Sequence, residues 1–152
     1  MTDCYFFIRE VDKMKQALVV LLPIITLSAC SSGPNFANQR LSYRDFSGQQ
    51  LERADFTNSK LDGANFTGAN LAKADFSGAE LCSSNFEGAN LAEADLSESD
   101  LKYATLKSTN LTGAKLEKAI VIGVFYTKAT RWPAGYKPEG GICTDCREIS
   151  NE

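Results

Sequence analysis

The sequence predicts an all-β solenoid, a chain that winds into a coil and climbs upon itself. Three observations predict it. From Phe36 to Leu116 a Phe or Leu returns at every fifth position without a gap. Two residues before each, from Ala54 onward, stands Ala, Ser or Thr. Among the remaining positions Gly, Asn, Asp and Ser recur, the residues that tight turns use. A helix needs an apolar period of 3.6, a strand a period of 2 and a coiled coil a period of 7. Five fits none of them.

Each inward pair, at i−2 and i, fits a very short extended piece, because alternate side chains share a face. The residues between must turn a corner, and Gly63, Gly68, Gly78, Gly88 and Gly113 are placed to do so. A chain that turns the same way every five residues closes into a coil. Successive coils then stack with backbone pairing, about 4.8 Å apart. One coil buries too little to offset the entropy of ordering it, so the coils must stack and the ends must be capped.

The recurring Ala-(Asp/Asn)-Leu-x-x pattern, as in Ala69-Asn70-Leu71 and Ala94-Asp95-Leu96, closely resembles the pentapeptide-repeat family. The resemblance covers about residues 36–126. It implies a right-handed quadrilateral β-helix with four pentads per coil and about four coils. Residues twenty apart then stack. Phe36, Phe56 and Phe76 are expected on one face, Phe46, Phe66 and Phe86 on the opposite one, and leucines on the other two. Asn70, Asn90 and Asn110 are expected to form a ladder. Gln39, Arg44 and Gln49 depart from the small-residue position. The first turn is therefore expected to be looser, or distorted as an N-terminal cap.

Ahead of the repeat, Lys13 and Lys15 precede an apolar run from Ala17 to Leu27 that ends in Leu27-Ser28-Ala29-Cys30. This is the layout of an export signal, and the run is short for a membrane span. Its ending looks like the lipobox of bacterial lipoproteins. That resemblance implies lipidation of Cys30 and a mature protein anchored to membrane lipid, facing the periplasm. Ser31 rather than Asp follows it, which in a Gram-negative host favours the outer membrane. Residues 1–13 carry Asp3, Glu10 and Asp12, unusual before such a signal, so translation is expected to begin at Met14. Residues 1–29 are read as this extension plus signal peptide, a signal helix, and residues 30–35 as a tether.

Composition narrows the chemistry. The 152 residues carry a net charge of −3, which gives no basic footprint for nucleic acid. There is no histidine, the commonest general base and metal ligand. No catalytic constellation, cofactor motif or metal-ligand set is legible, so the chain is read as non-enzymatic. An acidic band runs through Glu80, Glu87, Glu93, Asp95, Glu98 and Asp100, followed by Lys102, Lys107, Lys115 and Lys118. Twenty-residue stacking would set Glu87 beside Lys107, Asp95 beside Lys115 and Glu98 beside Lys118. The band reads first as coil-to-coil ion pairs, and second as an interaction surface for a cationic partner.

Residues 127–152 read as a tail. Thr130-Arg131-Trp132-Pro133 resembles a segment seen after many pentapeptide-repeat stretches, and Trp132 and Tyr136 are expected to cover the last coil. Cys143-Thr144-Asp145-Cys146 is expected to be a short disulfide in an oxidising compartment. As a zinc site it lacks a second cysteine pair and any histidine. Cys82 is read either as a free thiol or as an intermolecular link.

The resulting expectation is a lipid-anchored scaffold or interaction protein of the cell envelope, with an unidentified protein partner. One alternative is a DNA-mimicking protein that binds a type II topoisomerase such as DNA gyrase, as some members of the family do. Another is a redox or metal-sharing protein acting through its Cys-x-x-Cys.

Overall fold

The computed structural model describes residues 32–136 and 138–146. The signal helix, the Met14 start and Cys30 lie outside the described residues. From Asn35 the chain forms a ladder of parallel bridges between residues twenty apart, beginning with Asn35↔Asp55 and Arg40↔Lys60 and continuing to Thr105↔Phe125. Most bridges involve one residue per side. The only continuous strands among the described residues are β1, Phe125–Tyr126, and β2, Ile142–Cys143.

Every pentad centred from Phe36 to Leu111 repeats the same bonds. The central residue donates its N–H to the next coil, as Leu61 does to the Glu80 carbonyl at 2.7 Å. Its own carbonyl accepts the N–H three residues on, as Leu61 does from Ala64 at 2.9 Å, closing a turn. The residue two after the centre has φ near +60° whether or not it is glycine, for example Lys73 at 61° and Gly63 at 65°. That is the demand of a type II turn, which glycine meets without steric cost. At Gly63 a second constraint applies. A Cβ there would meet the Tyr43 ring at 2.6 Å, because Tyr43 lies over it from the preceding coil.

Inside, the phenylalanines stack in two columns. Phe56 lies on Phe76 with centroids 4.8 Å apart, and Phe66 lies on Phe86 at 4.9 Å, both 4° from parallel. Contacts across the core are edge-to-face, the arrangement the ring quadrupoles favour. Beyond Phe86, Leu96, Leu101, Leu106 and Leu111 fill all four faces and are buried. Ser59, Ser84 and Ser99 substitute for alanine because each hydroxyl donates to the carbonyl three residues back, at 2.6–2.7 Å. No buried side-chain polar atom among the described residues lacks a partner, as a dry core requires.

The first coil differs from its expectation. Its backbone is as regular as the rest, with bridges at each corner from Asn35. Gln39, Arg44 and Gln49 occupy the small position without disturbing these bridges, and Arg44 and Gln49 are exposed. The coil also starts inside the segment assigned to the tether. Pro34 already accepts the Asp55 N–H at 2.9 Å, and Gly33 abuts the Arg53 carbonyl so closely that no side chain would fit.

At the other end the register slips. Asn110 pairs with Arg131, so one corner, between Tyr126 and Arg131, holds an extra residue. Thr130 takes the place alanine would have held, donating to the Leu106 carbonyl at 2.7 Å as Thr109 does to Phe86. Trp132 then falls in the Leu111 column and meets Tyr126 edge-on at 5.7 Å and Tyr136 face-on at 5.5 Å. The chain next takes a shortcut, so that β2 pairs in parallel with β1, Phe125 opposite Ile142 and Tyr126 opposite Cys143.

Candidate functional site

Packing consumes the inward positions, so any site must be built from outward residues or from the tail. The six acids of the band do not gather into one patch. Glu80 and Asp100 occupy successive coils of one face, and the intervening circuit carries Glu87, Glu93, Asp95 and Glu98 around the remaining sides. Five of the six meet a lysine. Lys60 contacts both oxygens of Glu80 at 2.8 and 2.9 Å. Lys115 reaches Asp95 at 2.9 Å, Lys118 reaches Glu98 at 2.8 Å, and Lys73 reaches Glu93 at 3.8 Å. Lys102 turns to Asp100 at 2.9 Å within its own coil.

Two of the three pairs expected from stacking therefore form. Among the described residues no ion pair joins Glu87 to Lys107. Both side chains are long and solvated, and holding such a pair gains little.

The pairs have electrostatic consequences. Partial burial pushes the Asp95 carboxyl up. Hydrogen bonds from Lys115 and Ser97 and the Lys115 charge outweigh that and hold it below its ordinary value. The hydrogen bond from Lys118, and then its charge, lower Glu98. The reciprocal hydrogen bonds raise Lys102, Lys115 and Lys118. The band is thus largely matched in charge.

Cys82 is a half-buried free thiol on a corner, with its sulfur 3.8 Å from the Ser83 hydroxyl. At the C-terminal end two open clefts, about 360 and 370 Å³, flank Tyr136. Glu117 lines the first and Glu139 the second. Burial, and then Glu139, raise the Tyr136 hydroxyl above its ordinary pKa.

The tail brings three groups together. Cys143 and Cys146 are joined as a disulfide with Cα atoms 5.3 Å apart. Asp145 stands between them, its Oδ1 3.5 Å from the Cys143 sulfur and 4.0 Å from that of Cys146. The same oxygen accepts the Lys128 N–H at 2.7 Å, from the widened corner. Sequence reasoning passed over Asp145 because it counted only thiols and histidines. Its central position in Cys-x-Asp-Cys was the available signal.

The model of pentapeptide repeats matches this chain in eight copies, over residues 35–67, 50–88 and 83–117. The chain belongs to the pentapeptide-repeat family, whose fold is a right-handed β-helix. A search of curated proteins finds no match. Among solved structures, a pentapeptide repeat protein from the Arabidopsis thaliana thylakoid lumen is 37% identical, with a TM-score of 0.51. The match covers 60% of this chain and 68% of that one. Rfr23, a pentapeptide repeat protein from the cyanobacterium Cyanothece, is 26% identical over 66% of this chain and 86% of its own, with a TM-score of 0.35. QnrB1, a plasmid-mediated fluoroquinolone resistance protein, is 24% identical over 74% of this chain and 65% of its own, with a TM-score of 0.42. The last two similarities are too low for more to be taken from them.

Proposed function

We propose that this protein is a non-enzymatic, lipid-anchored scaffold of the bacterial cell envelope, holding a protein partner against a rigid β-helix. Cys30 carries the lipid, residues 1–29 are removed, and the prism beginning near Pro34 presents its outer faces to the partner. The observation that carries this reading is the commitment of inward side chains to packing from Phe36 to Leu111. What remains to meet another molecule is an outward surface on a stiff support, which suits binding and offers no enclosed reaction chamber.

The placement of the first coil supports the anchor. Three residues separate Cys30 from Pro34, four residue steps with a reach of about 14 Å at most. A lipid on Cys30 would hold the coil close to the headgroups in a nearly fixed position. The similar protein of the thylakoid lumen supports an exported location. Matching of the acidic band by lysines weighs against a DNA-like surface. Supercoiling assays with purified gyrase should accordingly show no inhibition.

The test is crosslinking in intact membranes, with the captured proteins identified by mass spectrometry. A partner captured by the wild type and lost in Cys30→Ala supports the tethered scaffold. Equal capture by Cys30→Ala, or no specific capture, contradicts it.

A further inference from the structure

We infer that the reduced tail is an open three-ligand site for a thiophilic divalent cation, best matched by zinc, formed by Cys143, Asp145 and Cys146. The three ligand atoms lie within 4.8 Å of one another. Zinc binds thiolate sulfur at about 2.3 Å and carboxylate oxygen at about 2.0 Å, so a tetrahedral site sets sulfur and oxygen about 3.5 Å apart. With the two sulfurs still joined as a disulfide, that of Cys143 is 3.5 Å from Asp145 Oδ1 and that of Cys146 is 4.0 Å away. Reduction must let the sulfurs part to the separation of about 3.8 Å that two thiolates on one zinc require.

Backbone bonds hold the residues around the two sulfurs in place. Pairing of β2 with β1 fixes Cys143 opposite Tyr126. The Thr144 N–H and hydroxyl both donate to the Tyr126 carbonyl, at 2.9 and 3.2 Å. The Lys128 N–H holds the Asp145 carboxylate at 2.7 Å. Such outer hydrogen bonds orient ligands and strengthen metal sites. Asp145 and Cys146 are exposed, so an ion can enter from solvent. Its fourth position is open to water or to a ligand from a partner protein.

The disulfide and the ion compete for the same two sulfurs. A dithiol reductant supplies two electrons and two protons, the Cys143–Cys146 bond breaks, and the reductant becomes its own disulfide. Binding then replaces both thiol protons, which leave to solvent. The Cys143–Cys146 loop is therefore closed by a covalent bond when oxidised and by a cation when reduced.

The test uses the full chain with Cys4, Cys30 and Cys82 changed to Ser, reduced by a phosphine under anaerobic conditions. Cadmium titration is followed by thiolate-to-metal absorption, and zinc by competition with a coloured chelator. Saturation at one ion per chain is expected in the reduced protein and no thiolate absorption in the oxidised one. Cys143→Ser should abolish the signal. Asp145→Asn keeps the acceptor for Lys128 and should weaken binding at least about tenfold. It thereby separates a ligand role from a structural one, even if Cys143→Ser disturbs the tail. Failure to saturate at one ion, or unchanged affinity in Asp145→Asn, overturns the site.

Discussion

Phe66 stands edge-on to Phe76 across the core, with centroids 5.6 Å apart and planes at 88°, while each lies flat in its own column. The two columns interlock, so each ring touches neighbours above, below and opposite. Phe76→Ala would leave a ring-sized void between Phe56 and Leu96 and should cost about 3–5 kcal/mol. Phe76→Leu copies the residue that the same column uses at Leu96 and should cost roughly 1–2 kcal/mol. Urea unfolding of both variants checks this. Equal losses would mean that the columns do not pack as described.

Tyr43 covers Gly63, and Tyr103 covers Gly123 in the same way. Gly68 has the same positive φ as Gly63, but a Cβ there would meet nothing within 4 Å. Gly68→Ala should cost about 1 kcal/mol for the left-handed backbone alone. Gly63→Ala must also displace the Tyr43 ring and should cost more. Restoration of the Gly63→Ala loss toward that of Gly68→Ala by Tyr43→Ala would identify the ring as the cause. No restoration would contradict it.

The asparagine ladder links the coils from outside the core. Asn110 donates to Asn90 at 3.0 Å, Asn90 to Asn70 at 3.1 Å, and Asn70 to Gln50 at 3.1 Å. Asn90→Asp removes the donor to Asn70 and places a carboxylate oxygen against the Asn70 carbonyl. The expected loss at neutral pH is about 1–3 kcal/mol. It should shrink in acid, where the protonated carboxyl can donate. A loss that does not change with pH would count against the ladder.

Stability should fall at both ends of the pH range. Asp95 and Glu98 titrate lower when folded than their ordinary values of 3.8 and 4.5. Their contribution is present above those values and is lost as pH falls through the folded ones. Lys102, Lys115 and Lys118 titrate higher than 10.5 when folded. Theirs is present below 10.5 and is lost as pH rises through the folded values. Replacing Lys115 and Lys118 by Met should therefore lower the urea midpoint more at neutral pH than near pH 3. High salt should narrow that difference. An equal loss at both pH values would show that these ion pairs contribute nothing.

Much of this architecture is legible because period and geometry are the same statement. A five-residue register with small residues two positions earlier specifies a climbing coil, and the family resemblance gives it four sides; the twenty-residue stacking that follows places Phe56 on Phe76 and Asn70 on Asn90. The surface is less legible. Stacking sets Glu87 near Lys107 as surely as Asp95 near Lys115, but only rotamer choice in water decides which pair closes. Lys102 turns to Asp100 in its own coil, which no twenty-residue rule predicts. The first coil is regular because backbone bonding to the second coil sets its path, and the side chains of Arg44 and Gln49 are exposed, where their size disturbs no core packing. The extra residue at the Tyr126–Arg131 corner was hidden because the apolar pattern fades there. With it was hidden the placement of Asp145 beneath Lys128 and beside two sulfurs.

Feeding radiolabelled palmitate to cells that make the full chain tests the tethered-scaffold account most directly. The account predicts a labelled wild-type protein in the membrane fraction and an unlabelled Cys30→Ala protein. An unlabelled wild type, or equal labelling of Cys30→Ala, would contradict it.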